Sequence, residues 1–282
     1  MRIAMIMVRH PPGRQSPIFP EVVERLAARG AEVAIIHPEE QALDLARVAV
    51  AHDLYVLKSV TPASSSLAGA LHFMGAAILN PFPVSSALRD KIIATRVLQA
   101  AEVPVPETFV AGKTAQLEPF LANGPLILKP HRGSQGRGIR IVRDRDELLA
   151  SRPDSESETG PLLAQRYHEP EGEDYKIYAI DNRFFGVRRV WPAASYEDKL
   201  GRPFALSSAL DEIAHQCGRA FGIELFGIDV IKSNGRYYVV DMSSFPGFKG
   251  VPDAARLLAD YLYKVGRRVL AGEPVVPGVN GP

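Results

Sequence analysis

Three short segments of this chain hold residue types that could do chemistry together. In the first, Lys129 closes an apolar run at 126–129 and Arg132-Gly133-Ser134-Gln135-Gly136-Arg137-Gly138 follows. Glycines let backbone N–H groups approach phosphate oxygens, and a lysine adds a point charge. The Gly-Lys-Ser/Thr ending of a Walker loop is missing, and the loop leads into a strand-like run at 139–142. In the second segment, apolar runs at 226–231 and 238–242 each carry one acid, Asp229 and Asp241. A carboxylate in such a run is costly unless it is paired or bound to metal. Asn234-Gly235 between the runs is a strong hairpin signal, and a regular hairpin brings both acids to one point. Hard oxygen ligands shared with phosphates suit Mg²⁺. In the third, an apolar strand at 162–168 turns polar at Gln165, Arg166, Tyr167 and His168, and Asp174 and Lys176 follow. Such a strand end can offer backbone donors and acceptors to a base edge, and the acid can take ribose hydroxyls.

These residues need elements to position them. Strand signals at 3–8, 32–36, 53–58 and 76–79 alternate with helix signals at 20–29 and 65–74, each helix stopped by a glycine, Gly30 and Gly75. That alternation predicts a parallel sheet covered on both faces, over about 1–86. No GxGxxG follows its first strand, which argues against a Rossmann dinucleotide site. Arg9 and His10 end the first strand and Lys58 the third, and ligands bind at the carboxyl ends of such strands. These three, with Arg188 and Lys249, are candidates to hold a substrate carboxylate; Trp191 is left without a role. A helix at 86–101 comes next, broken by Val103-Pro104-Val105-Pro106. A short helix at 144–150 and a polar connection at 151–160 precede strands at 162–168, 175–180 and 184–190, the last two joined by Asp181-Asn182. Helices at 207–221 and 253–270 flank the acid-bearing hairpin.

Composition removes several classes of function. The chain has 282 residues, of which 46% are apolar, enough for packed cores. Lys+Arg 33 against Asp+Glu 32 gives +1, no charge excess for a dedicated nucleic-acid or acidic-membrane binder. A single cysteine, Cys217, excludes a disulfide framework and a thiolate zinc cluster, and its apolar neighbours make it core. His37, His52, His72 and His215 stand singly, without ligand spacing. No apolar run approaches the roughly 18–20 residues of a membrane span. The expectation is a cytoplasmic protein with no membrane or nucleic-acid partner.

In this order and spacing the three segments resemble the ATP-grasp superfamily, over about residues 55–270. The resemblance implies an α/β (α+β) fold: an N-terminal open parallel α/β domain at 1–88, then α+β subdomains at 89–164 and 165–282 that sandwich ATP. Arg89-Asp90-Lys91, with Val103-Pro104-Val105-Pro106-Glu107-Thr108 after it, is similar to the segment carrying that family's first nucleotide lysine, here Lys91. Lys129 matches the second lysine, and 133–138, with Gly133, Ser134, Gln135 and Gly136, the flap over the phosphates. Gln165, Arg166, Tyr167 and His168 match the adenine-facing strand, Asp174 the ribose acid, Lys176 a basic residue near the phosphates and Arg189 the arginine facing the transferred phosphoryl group. Asp229 and Asp241 match the metal-binding acids. Ser243 stands where the family usually has Asn, a metal ligand, and matches that metal position either directly or through a bridging water. Within the superfamily the chain looks most similar to RimK-type and glutathione-synthetase-like carboxylate–amine ligases. The activity implied is amide formation through an acyl phosphate, with ATP and Mg²⁺ (Mn²⁺ as the alternative), on small-molecule or peptide carboxylates and amines. An inositol-polyphosphate-type kinase and a catalytically degenerate ATP-binding protein are the alternatives. Oligomeric state is left open, a homodimer being common among such proteins.

Overall fold

Strands β1 (Arg2–Ile6), β2 (Glu32–Ile36), β3 (Leu54–Leu57) and β4 (Ile78–Leu79) form a sheet in the order β2-β1-β3-β4, with every pair parallel. In this computed structural model the described residues are 1–10, 16–133, 136, 138–151, 160–190 and 200–277. The inner strands are apolar on both faces because helices cover both. Helix α1 (Ile18–Ala27) packs Phe19, Val22 and Leu26 on Ile3, Met5, Leu54 and Val56. Helix α2 (Pro62–Phe73) packs Leu67, Ala68 and Leu71 on the opposite face, against Ala4, Ile6, Tyr55 and Leu57.

The single helix expected at 86–101 is two, α3 (Phe82–Arg89) and α4 (Lys91–Ala100). Asp90 between them is extended, and its carboxylate accepts from the Ile92 N–H. An aspartate that caps the next helix in this way is worth about 1 kcal/mol, enough to favour a break here.

The middle sheet is antiparallel, with β5 (Thr108–Ala111), β6 (Leu126–Pro130), β7 (Arg140–Val142) and β8 (Leu162–Arg166) in the order β5-β8-β6-β7. Helix α5 (Arg145–Ala150), N-capped by Asp144, lies against it through Leu148. The boundary expected at 164/165 falls inside β8. The third sheet is antiparallel too: β9 (Glu173–Ile180), β10 (Arg183–Val190), β11 (Arg202–Phe204), β12 (Leu225–Ser233) and β13 (Arg236–Ser243), ordered β11-β10-β9-β12-β13. Both anticipated turns form, with positive φ at Asp181, Asn182, Asn234 and Gly235, as two-residue hairpin loops require.

Side chains alternate across the third sheet and give its faces different work. One face carries Tyr175, Ile177, Ala179, Ile228, Val230, Val239 and Met242 and packs on α4 and α6 (Ser208–Phe221). The other carries Asp174, Lys176, Arg189, Asp229 and Asp241. The last helix, α7 (Ala254–Leu270), returns to the first sheet. Leu258, Tyr261, Leu262 and Val265 share one core with Ile3, Met5 and α1, and also with Ile180, Val187 and Leu225 of the third sheet.

Candidate active site

The polar face of the third sheet is built by register. Asp229 lies opposite Lys176 on one side and Asp241 on the other, and Arg189 lies opposite Asp174. Lys176 Nζ donates to Asp229 Oδ2 at 2.7 Å. Arg189 Nη2 donates to Asp229 Oδ1 and to Asp174 Oδ2, each at 2.7 Å. The Arg189 Nε–H is buried without a partner among the described residues. Burial opposes ionisation of Asp229, yet Lys176 and Arg189 together outweigh it and hold this carboxyl below the usual range. Burial raises Asp174, helped by repulsion from Asp229 and only partly offset by Arg189. Burial raises Asp241 as well, against the pull of Lys91, Lys176 and Lys129.

Asp241 makes no side-chain hydrogen bond or ion pair among the described residues. Beside it the ladder is irregular: Asp229 pairs with Asp241 and Val230 with Val239, which leaves Val240 as the extra residue of a bulge. The Val240 carbonyl accepts from Lys129 Nζ at 3.2 Å. Lys129 thereby reaches from β6 of the middle sheet onto the third. Its second partner is Gln165 Oε1 at 2.7 Å, and Gln165 in turn donates to Thr108 Oγ1 at 3.2 Å. Burial pulls the Lys129 ammonium down to about 8, with Asp241 and Asp229 opposing and Lys91 assisting.

Lys91 is the first residue of α4. Its N–H donates to His131 O at 2.8 Å and its Nζ to Gly133 O at 2.9 Å. Asp90 pairs with Arg132 at 3.3 Å, so the start of the glycine loop is tied to the start of α4. Lys91 and Asp241 line one narrow cleft with Thr95, Leu163 and Val240. Gly136 and Gly138 have positive φ, and a Cβ on Gly138 would meet Pro130 Cγ at 2.8 Å. Ser134 and Gln135 of the expected flap, and Trp191, lie outside the described residues.

The other expected site residues divide. His168 stacks on Tyr238, ring centroids 4.0 Å apart. The Tyr167 N–H donates to Pro125 O. The Arg166 side chain is not brought to the site: it bonds Glu107 and the carbonyls of Phe120 and Gly124. Asp174, expected at the ribose, sits in the ion-pair cluster. Arg188 corrects its expectation, because alternation turns it to the opposite face. It pairs there with Glu173 and lies over the rings of Tyr175 and Phe204. Arg9, at the edge of the first sheet with exposed His10, pairs with Glu40 at 2.8 Å. Lys58 donates to Phe245 O at 3.2 Å. Lys249 lies in the loop after β13 that Ser244 begins. Sequence reasoning missed Asn80. Its buried amide donates to Leu225 O and Ser244 O, at 2.6 and 2.5 Å, and holds the two ends of the acid hairpin. An Asn after a short strand reads only as a turn, so no signal marked it.

Among the described residues no three His, Cys, Asp or Glu side chains cluster to hold a metal. Asp229 and Asp241 still face each other across two strands, and Asp241 is a part-buried carboxylate without a cation partner among the described residues. The Ser243 hydroxyl donates to Gly227 O at 3.3 Å, which leaves its lone pairs available. This donor set fits one hard divalent cation that completes its shell with phosphate oxygens and water.

The profile of the RimK-like ATP-grasp domain matches residues 88–261, more than half of the sequence. The chain belongs to the RimK-like ATP-grasp family. A "Probable alpha-L-glutamate ligase" of Haemophilus ducreyi is 25% identical over 66% of this chain and 65% of its own length, just under two thirds. A protein of the same name from Xanthomonas euvesicatoria pv. vesicatoria is 27% identical, over 74% of this chain and 76% of that one. The RimK domain ATP-grasp protein of Sphaerobacter thermophilus has the same fold, with a TM-score of 0.73 at 20% identity, over 93% of this chain and 100% of that one. This RimK-like protein is an ATP-grasp ligase, and the chemistry consistent with that class is ATP-dependent joining of a carboxylate to an amine. None of its described helices is long and apolar enough to cross a membrane.

Proposed function

We propose that this protein links a carboxylate substrate to the amine of an amino acid, with L-glutamate as the first candidate, and that it works in the cytoplasm. The substrate carboxylate takes the γ-phosphoryl group of ATP and ADP leaves. The amine then attacks the acyl carbon, phosphate leaves, and the amine's surplus proton is released. The observation that carries the reading is the convergence of two carboxylates, Lys176 and Arg189 on one sheet face with Lys129 arriving from the sheet opposite. Acyl-phosphate chemistry needs charge neutralisation more than a protein nucleophile, and this cluster supplies it. Asp229 and Asp241 would hold Mg²⁺, or Mn²⁺ in its place, with Ser243 direct or through water. That ion neutralises phosphate charge and polarises a phosphoryl oxygen when bound. Lys129 and Lys91 bind phosphate oxygens from separate segments. The spare Nε–H of Arg189 is a donor for the oxygen on which charge develops. Gln165, Tyr167 and His168 lie along the nucleotide's expected path. The glutamate assignment draws on the names of the relatives.

The test is incubation with Mg-ATP, L-glutamate and pools of carboxylic acids and short peptides, with products identified by mass. The expected result is ADP, free phosphate and an amide in equal amounts. A phosphorylated alcohol without free phosphate would mean a kinase. No ATP consumption with any pool would mean a degenerate nucleotide-binding protein.

A further inference from the structure

We infer that the Lys58 ammonium binds the unreacted α-carboxylate of the amino-acid acceptor, an inference that rests on the ligase reading above. Lys58 sits at the carboxyl end of β3, the place where open parallel sheets take ligands. The ammonium is part-buried and lies 5.2 Å from the ring centre of Phe19 and 5.6 Å from that of Phe245. Its hydrogen bond to the Phe245 carbonyl uses one of three N–H donors. No carboxylate pairs with it among the described residues. Lys176, Arg189 and Arg268 do have one (Asp229, Asp174 with Asp229, and Glu224), so among the described residues Lys58 groups instead with Lys129, a buried lysine held by Gln165 and the Val240 carbonyl. A charge held among apolar groups without a counter-ion is costly, and a ligand carboxylate would supply that counter-ion. Burial pulls the ammonium down to about 8, and a bound anion would restore it.

Position says which carboxylate. Phe245 is four residues past Asp241, in the bend that follows β13. An anion on Lys58 is therefore set apart from the Asp229–Asp241 cluster, on the far side of the bend that ends the acid hairpin. The carboxylate that is activated must lie at the cluster, beside Arg189, so the one on Lys58 is a different group. An amino acid held by its α-carboxylate there can present its amine toward the acyl carbon. Asn80 and Lys58 both hold the start of this loop, at Ser244 and Phe245, so the carboxylate site and the acid hairpin keep a fixed spacing.

The experiment is calorimetry of L-glutamate binding to wild type, Lys58→Met and Lys58→Arg, each saturated with Mg-ADP. L-glutamate α-methyl ester serves as the probe that lacks the α-carboxylate. Expected are a loss of at least tenfold in L-glutamate affinity for Lys58→Met and partial rescue by Lys58→Arg. The ester should bind wild type and Lys58→Met equally weakly, and Mg-ADP affinity should match in all three proteins. The melting temperature of Lys58→Met should equal or exceed that of wild type, because an uncompensated charge has gone. Equal L-glutamate affinity in wild type and Lys58→Met overturns the inference. So does a lowered melting temperature in Lys58→Met, which would make Lys58 a structural donor to Phe245. If Mg-ADP binds but neither L-glutamate nor a pool of the other amino acids binds wild type, the acceptor site is wrong while the nucleotide reading stands. If Mg-ADP itself fails to bind, the ligase reading falls, and this inference falls with it.

Discussion

Asp229 and Asp241 face each other across one ladder, yet they live under opposite electrostatics. Asp229 is satisfied by Lys176 and Arg189, whereas Asp241 is part-buried, has no ion pair among the described residues and is raised by desolvation. Asp241 is therefore the residue whose stability cost is repaid only by a ligand. Asp241→Asn should lose turnover by more than the about 10–100-fold typical of a metal ligand's supporting partners. Its melting temperature should be unchanged or raised, as a thermal scan without nucleotide would show. A parental turnover rate in this variant would remove Asp241 from the site. Lys129 gives a second prediction. With its ammonium near 8, the free protein loses this charge as pH rises through that value. ATP affinity should fall from about pH 7 to pH 9. Lys129→Met should cost about 1.5–3 kcal/mol of binding at pH 7 and flatten that slope. Calorimetry at both pH values checks it, and an equally steep slope in the variant would assign the titration elsewhere.

At the scale of elements, the join between α3 and α4 matters most. Asp90 caps α4, pairs with Arg132 and stands beside Lys91, whose amide and ammonium both hold the glycine loop. Asp90→Ala should cost about 1 kcal/mol as a lost cap. It should also raise the KM for ATP several-fold, because Lys91 and Arg132 lose their fixed origin. Steady-state kinetics with a urea melt would separate the two effects, and an unchanged KM would confine Asp90 to capping. Much of this scale could be read in the sequence. The two hairpins, the alternation of the first block and the acid pair follow from local chemistry: Asp-Asn and Asn-Gly turns, the spacing of apolar runs, and carboxylates set within them. What could not be read depends on long-range packing. Strand phase decides that Arg189 faces the cluster and Arg188 does not, and the sequence shows two adjacent arginines. The bulge at Val240, which frees a carbonyl for Lys129, leaves no mark in Tyr-Val-Val-Asp. Asn80 acts through backbone carbonyls some 145 and 164 residues away.

At the scale of the molecule, α7 joins the first and third sheets in one core. Leu262 is fully buried in it. Leu262→Ala should destabilise by about 2–5 kcal/mol. Unfolding should stay a single transition, with intrinsic fluorescence and far-ultraviolet circular dichroism coinciding in urea. Two separated transitions would show that the first sheet holds its own stability, independent of α7.

That shared core also has a consequence for synthesis on the ribosome. The first sheet is complete at Leu79, but the helix that closes one of its faces begins roughly 175 residues later, at Ala254. At about 5–20 residues per second, Ile3, Met5, Leu54 and Val56 lack part of their final cover for on the order of 10–35 s. The nascent chain is then an unfinished hydrophobic surface on a tether, a ready client for a holding chaperone. Slow codons before residue 254 would lengthen that exposure, and should lower soluble yield more than the same codons placed after residue 270.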